Sequence, residues 1–560
     1  MAVRGVSNST LQDRQISGKY CTVTLQAKNS SSISMPAGSS LVEGLCVPST
    51  CSQEDVLQLV SSALALVPQI DVIAHNCPQP APFDWRTVTA IVIIAVFVMM
   101  LLAGTGYDIA IQMQKSGYHA GAKIATTVQD GHNEYSPMTT ENTHDQNQSI
   151  HREEGQQSNQ CNSSGLCASI LLSFSALSNS RKLLATHRSH GALDSVHGVR
   201  FLSMSWVILG HTYVFSASIW NNPIRFKDVI GAFGFQAIDN ATFSVDSFFV
   251  LSGLLVGYLT LKEIKKNDGK VFWPLYYFHR FWRLTPVYML LLMVDVCLVR
   301  YFGSGPLWPK DGFEVNYCSK TWWTNLLFIN NLVYSDQMCM GWSWYLANDM
   351  QFFLISPLFL ITLYKSRTAG FILMFAVLVG SCLSAGIATT VNGWPSNIPI
   401  GIMQNPKGFA DMFRWVYITP WSRIQPYIIG LALGYVLFTT NCKVRLHKWV
   451  KIGGWLLAAV LNLLLVYGTY PSFHGNEWSD SLSGFYVAVS RTGWSLGLGW
   501  VIFICIIGQG GFVNTLLSWK ALIPLSRLTY CAYLVHPVII MTFYFSRREL
   551  LHWSSHCEMV

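Results

Sequence analysis

Long apolar blocks alternate with short polar ones along this chain. Residues 87–106, TVTAIVIIAVFVMMLLAGTG, carry no charge, and about 20 such residues suffice to cross a bilayer. Comparable blocks lie at 193–219, 243–261, 284–302, 343–363, 370–390, 424–439, 452–468, 485–508 and 526–545. The pattern predicts an all-α polytopic membrane protein of about 10–11 transmembrane helices, with 321–333 or part of 508–525 as the source of the extra one.

Two polar stretches interrupt it. Residues 1–86 hold four cysteines, Cys21, Cys46, Cys51 and Cys77. GLCVPSTCSQEDVLQLVSSALALV reads as a cysteine-clamped turn followed by a helix. Ser52 is its N-cap with Asp55 three positions on, and Val56, Leu59, Val60 and Ala63 form its apolar stripe. No second ligand pair follows Cys46 and Cys51 at zinc-finger distance. Disulfides are therefore expected, with three pairings open, in an oxidising compartment. Sequons at Asn8 and Asn29 agree. The expectation is a small disulfide-containing domain on the extracellular or lumenal side. It opens MAVRGVSNST without an apolar leader, which suggests an incomplete start.

The second stretch, 111–192, is rich in Gln, Asn, Ser and Glu and predicts a disordered linker. Arg181, Lys182 and Arg188 close it, so the positive-inside rule makes it cytoplasmic, as it does the basic loops 364–367 and 441–451. Ten spans would leave the C-terminus outside, whereas SRREL at 546–550 favours the cytoplasm, so the helix count stays open.

Composition agrees. The 560 residues are 51% hydrophobic and only 12% charged, against about 25% charged in soluble domains. The net charge of +8 is modest and sits in loops, which excludes a nucleic-acid footprint. The chain has neither the Walker lysine motif of ATP-driven pumps nor a G-x-S-x-G hydrolase elbow.

Candidate chemistry lies where ionisable groups enter apolar blocks, because such groups usually face a protein interior or a water-filled cavity. Arg200 and His211 are eleven positions apart. On a helix they point the same way, about 16 Å apart along the axis. Asp246 opens the block 243–261 and is expected either to orient His211 or to pair with an arginine. Arg280 and Arg283, in the basic aromatic stretch 262–284, share one helical face. They read either as interfacial anchors or as a phosphate site. Asp349 is a weaker candidate. His536 reads as a histidine that hydrogen-bonds a neighbouring helix.

Taken in order, these residues resemble the acyltransferase type 3 membrane family, and within it the animal nose-resistant-to-fluoxetine-like branch. Arg200 and His211 match its Arg-x10-His pattern, SVDSFFVLSG (244–253) its VDxFFVLSG segment, and Arg280 and Arg283 its Arg-x-x-Arg. WSWYLANDMQFFLISPL (342–358) and PLSRLTYCAYLVHPVI (524–539) match its later helices, and CVPSTC (46–51) the cysteine-rich domain of the animal branch. Where many bacterial members carry paired glutamates, this chain reads Ala347-Asn348-Asp349-Met350-Gln351. The resemblance implies a cysteine-rich domain over 1–86, a first transmembrane helix over 87–106, the linker, and an acyltransferase-type transmembrane domain over 193–546. It also implies transfer of an acyl group from cytoplasmic acyl-CoA, without a metal, to a hydroxyl of a membrane lipid or another small membrane-accessible acceptor. His211 with Asp246 would be catalytic, and Arg200, Arg280 and Arg283 would hold the donor phosphates. The chain would reside in the plasma membrane or endoplasmic reticulum. The alternative is a non-catalytic lipid or xenobiotic carrier using the same cavity.

Overall fold

The computed structural model describes residues 9–27, 40–64, 70–77, 83–129, 165–187, 193–397 and 405–552, apart from positions 12–13, 17, 306, 310–311, 315–316, 475 and 477. The chain divides into two units, Asp84–Arg188 on the one hand and Met1–Phe83 with Ser189–Val560 on the other.

The N-terminal region is a small α+β fold. A hairpin of β1 (Ser9–Leu11) and β2 (Arg14–Ile16) precedes an antiparallel sheet of order β4-β3-β5, built from β3 (Gly18–Ala27), β4 (Ser40–Pro48) and β5 (Ile70–Asn76). Alternation in KYCTVTL turns Cys21 and Val23 to a core that also holds Val47, Val56 and Cys77. Between β4 and β5 lies α1 (Gln53–Leu64). Its capping box is formed: Ser52 N–H donates to Asp55 Oδ2 at 2.6 Å, and Asp55 N–H donates to Ser52 Oγ at 3.1 Å. The expected stripe is narrower than the sequence suggests, because Leu59 is 60% exposed while Val56 is buried. One disulfide joins Cys21 to Cys77. The expected bonding of Cys46 is not found. It stands opposite Tyr20 in the β3–β4 register, on the face away from Cys21, as an exposed thiol. Asn8 and Asn29 lie outside the described residues.

In the second unit, α2 (Trp85–Gln129) continues well past the apolar block at 87–106. Part of the stretch expected to be disordered is helical: α3 (Leu166–Ser173) and α4 (Ala176–Leu184). The cause is a polar joint. Ser175 and Ser178 each donate to Asp108 Oδ2 at 2.5 Å, and Arg181 reaches Gln112 at 3.0 Å.

The transmembrane domain comprises α5 (Ser195–Ser216), α6 (Phe243–Lys266), α7 (Trp273–Cys297), α8 (Cys318–Leu326), α9 (Trp344–Lys365), α10 (Arg367–Asn392), α11 (Pro420–Thr439), α12 (Lys448–Tyr467), α13 (Asp480–Ile506) and α14 (Leu522–Phe545). Among the described residues, eight helices, α2 included, are both long and apolar enough to span a membrane. Of the remaining two long ones, α7 carries the partly buried Arg280 and the exposed Arg283, and α11 the buried Arg423. The tightest helix pair is α6 with α11. Gly253 and Gly257 on one helix and Gly430 and Gly434 on the other repeat a small-xxx-small spacing. A Cβ at Gly253 would strike the Tyr427 carbonyl, and one at Gly430 the Val250 carbonyl.

Neither stretch offered as an extra span forms one. Residues 321–333 are apolar, yet they break after α8, and 508–525 holds a short helix, Gly511–Leu517, followed by the first turn of α14. Asparagines hold the broken backbone. Asn325 donates to the Cys339 carbonyl at 2.7 Å, and Asn331 and Asn348 both donate to the Ile418 carbonyl, at 3.2 and 2.8 Å. Irregular backbone is tolerated in an apolar setting only when its polar groups are satisfied in this way.

A disulfide, Cys318–Cys339, closes this segment. Glu314 accepts the backbone N–H groups of Met340 and Gly341, where Met340 adopts a left-handed φ of 50°. Burial, and then the neighbouring Asp295, hold the Glu314 carboxyl above its ordinary range. The folded state thus binds a proton that the unfolded state releases at lower pH. The associated stability is complete below the unfolded value and is lost as pH rises through the folded one. Thermal midpoints of the wild type should accordingly fall between about pH 5 and pH 8, and Glu314→Gln should flatten that slope.

Candidate active site

A large cavity of about 2140 Å³ lies among α5, α6, α7, α9 and α14. His197, Arg200, Arg280 and Arg283 line one end, and Phe313, Glu314 and Gly341 the other. His211, Phe248, Trp344, Tyr345 and Tyr533 lie on its walls.

The arginine end is built from two helices held together. The Arg280 guanidinium pairs with Asp349 on α9 and lies 4.3 Å over the Phe353 ring. Ser252 of α6 donates to the other Asp349 oxygen at 2.6 Å. One turn before Arg280, Tyr276 stacks on Phe353 with ring centroids 4.2 Å apart and hydrogen-bonds Ser356 at 2.9 Å. Arg280 is therefore a partly buried cavity residue and not a surface anchor, and its Nε has no partner. Arg283, one turn on, is exposed. Arg200 feels the charges of Arg283, Asp349 and Arg280. Three guanidiniums thus converge around one carboxylate. This excess positive charge suits an anion with several oxygens.

The second cluster is a histidine pair. Because α14 packs along α5, His211 Nδ1 comes within 2.7 Å of His536 Nε2, and the rings stack at 5.0 Å. The other His536 nitrogen, Nδ1, lies 2.8 Å from the Tyr533 carbonyl and 3.1 Å from that of Ala532. Carbonyls only accept, so His536 carries its proton on Nδ1 and offers a lone pair at Nε2. His211 must then donate from Nδ1, which leaves its own Nε2 with a free lone pair. This orientation of one imidazole by the bond at its other nitrogen matches the logic of supported metal and catalytic histidines.

The structure brings Arg200, His211, Arg280 and Arg283 to one cavity and adds Asp349. It does not bring Asp246 to His211, which corrects the first of the two expectations for that carboxylate. Asp246 is 1% exposed and accepts from Arg423 Nη1 at 2.8 Å. It shares a helical face with Gly253 and Gly257, seven and eleven positions on, and α11 covers that face. His536 takes the place at His211 that Asp246 was expected to hold. The sequence signal for it is a histidine inside a span, which by itself reads as structural.

A model of the acyltransferase 3 family, described as an acyltransferase domain, matches residues 193–555. The chain is 31% identical over 554 residues to "Nose resistant to fluoxetine protein 6" of Caenorhabditis elegans, covering 92% of this chain and 62% of that protein. It is 26% identical over 406 residues to "Regulator of hypoxia-inducible factor 1" of the same organism, covering 66% and 75%. It is 24% identical over 310 residues to "Peptidoglycan O-acetyltransferase OatA" of Listeria monocytogenes, covering 50% and 44%. The chain thus spans somewhat under two thirds of the first of these relatives. No solved structure matches. With the family model over most of the chain, and with similarity to a nose-resistant-to-fluoxetine protein over 92% of its own length, the chain belongs to the acyltransferase 3 family.

Proposed function

We propose that this chain transfers an acyl group from acyl-CoA to a hydroxyl of a lipid or other membrane-accessible acceptor. The observation that carries this reading is one cavity holding a base and an anion site: His211, oriented by His536, and the Arg200–Arg280–Arg283 group. Acyl transfer to a hydroxyl needs a base of suitable strength, and imidazole supplies one. The proton of the acceptor hydroxyl passes to His211 Nε2. The hydroxyl oxygen bonds the acyl carbon, the C–S bond breaks, and the thiolate takes the proton. The resulting imidazolium is stabilised by the lone pair of His536. The phosphates of the donor lie against the three arginines, at the cytoplasmic end of the cavity. The relatives named as O-acetyltransferases support the acceptor chemistry.

The test is binding and turnover of labelled acetyl- and long-chain acyl-CoA by the purified chain. In Arg280→Ala/Arg283→Ala the donor affinity should fall by about two orders of magnitude, the worth of two charge-assisted contacts. A wild type that neither binds nor consumes any acyl-CoA would sink the enzyme reading and leave the cavity to a lipid or xenobiotic carrier.

A further inference from the structure

A second, smaller cavity of about 50 Å³ lies where α6, α11 and α13 begin. Asp246, Arg423, Ser490 and Arg491 line it. A water needs about 10–15 Å³ of such space, so the cavity holds a few waters or one anion with a water or two.

Its charges do not balance. Arg423, 1% exposed, is fully engaged. It donates from Nη1 to Asp246 and from Nε to the Tyr417 carbonyl, each at 2.8 Å, and lies 4.2 Å over the Tyr417 ring. Arg491 is 7% exposed, and its bond is to a neutral carbonyl, that of Ser422 at 2.8 Å. No carboxylate among the described residues forms an ion pair with it. Asp246, which lines the same cavity, is spent on Arg423. Asp239 reaches the same cavity, but its carboxylate takes the Gln236 amide at 3.3 Å and forms no ion pair with an arginine among the described residues. Two buried guanidiniums therefore share one carboxylate. The first turn of α11, which holds Ser422 and Arg423, adds the positive end of a helix. An uncompensated charge in such a setting is strongly destabilising unless a counter-ion joins it.

We propose that Arg491, with Arg423 behind it, binds a small monovalent inorganic anion of the chloride class in this cavity. The single excess charge sets the valence and disfavours a divalent oxyanion. Met412 and Val487 on the wall suit a weakly hydrated, polarisable ion. The anion ties α13 to α6 and α11, so it acts on the stability of the bundle and does not depend on acyl transfer.

The experiment compares thermal unfolding of the full chain in detergent with chloride, bromide or gluconate at equal ionic strength, alongside equilibrium binding of radiolabelled chloride. The wild type should show a saturable rise in midpoint with chloride and bromide but not with gluconate. It should bind about one chloride per chain, displaced by bromide but not by sulfate. Arg491→Gln should lose the chloride dependence and bind the ion at least about tenfold more weakly. Equal wild-type midpoints in chloride and gluconate, with no saturable binding, would mean that water alone fills the space and would overturn the proposal. So would a folded Arg491→Gln that keeps its chloride response. If Arg491→Gln does not fold, the wild-type binding measurement decides.

Discussion

Replacing His211 by alanine is expected to lower acyl turnover by about 10²–10⁴-fold, the usual contribution of a positioned general base, while donor affinity stays within about twofold. The split follows from distance along α5: Arg200, one of the three arginines proposed to meet the donor phosphates, lies three turns from the imidazole. His536→Ala is expected to cost less, about 10–100-fold, because the base remains while its tautomer is no longer fixed. Two readouts separate this positioning role from a packing role. The pH–rate profile of His536→Ala should change, since the lone pair that supports the His211 imidazolium is gone. His536→Gln, whose carbonyl oxygen can accept from His211 Nδ1, should recover part of the loss. A His536→Ala enzyme with wild-type kcat would show that the contact between the two rings has no catalytic consequence.

The largest effect on folding is expected from Gly430→Val. Its new side chain would meet the Val250 carbonyl and the Leu254 amide of α6, which are backbone atoms that cannot rotate away. Overpacking a core usually costs about 1–3 kcal/mol, and a clash with two backbone groups belongs at or above the top of that range. Gly253→Val meets the mirror contact at Tyr427 and should behave alike. Gly453→Val is the control. It also places a branched residue in a helix, but nothing lies within 4 Å of its Cβ. Monodispersity in detergent and the thermal midpoint are the measurements. Gly430→Val should lose both while Gly453→Val keeps them. Equal behaviour of the two would mean that the α6–α11 contact does not limit stability.

Much of this architecture is legible in the sequence because the bilayer enforces it. Uninterrupted apolar blocks can only be helices there, and the blocks at 87–106, 370–390 and 526–545 all lie within long helices. The eleven-residue spacing of Arg200 and His211 likewise survives folding, because a helix preserves it. What the sequence hides are relations between segments. The His211–His536 bond joins positions 325 residues apart, and no local spacing foretells it. Asp246 illustrates the converse. An acid beside an apolar run is visible at once, but whether it serves a histidine or an arginine depends on which face α11 covers. The break at 321–333 was equally hidden, since its apolarity suits a span and only the distant carbonyls of Cys339 and Ile418 explain why its asparagines prefer a fold-back. The N-terminal sheet went unread because cysteine spacing says nothing of register.

The pairing of Arg280 with Asp349 has a kinetic side. Asp349 is a resident competitor for whatever anion Arg280 takes. An arriving phosphate must displace a carboxylate already in place, so part of its attraction is consumed in the exchange and the net affinity is held down. On departure the carboxylate returns to the guanidinium and helps expel the spent anion. Removing this competitor, as in Asp349→Asn, would tighten the grip on any phosphate-bearing ligand and slow its escape. As a site for the proposed acyl donor, this arrangement is tuned for throughput more than for retention.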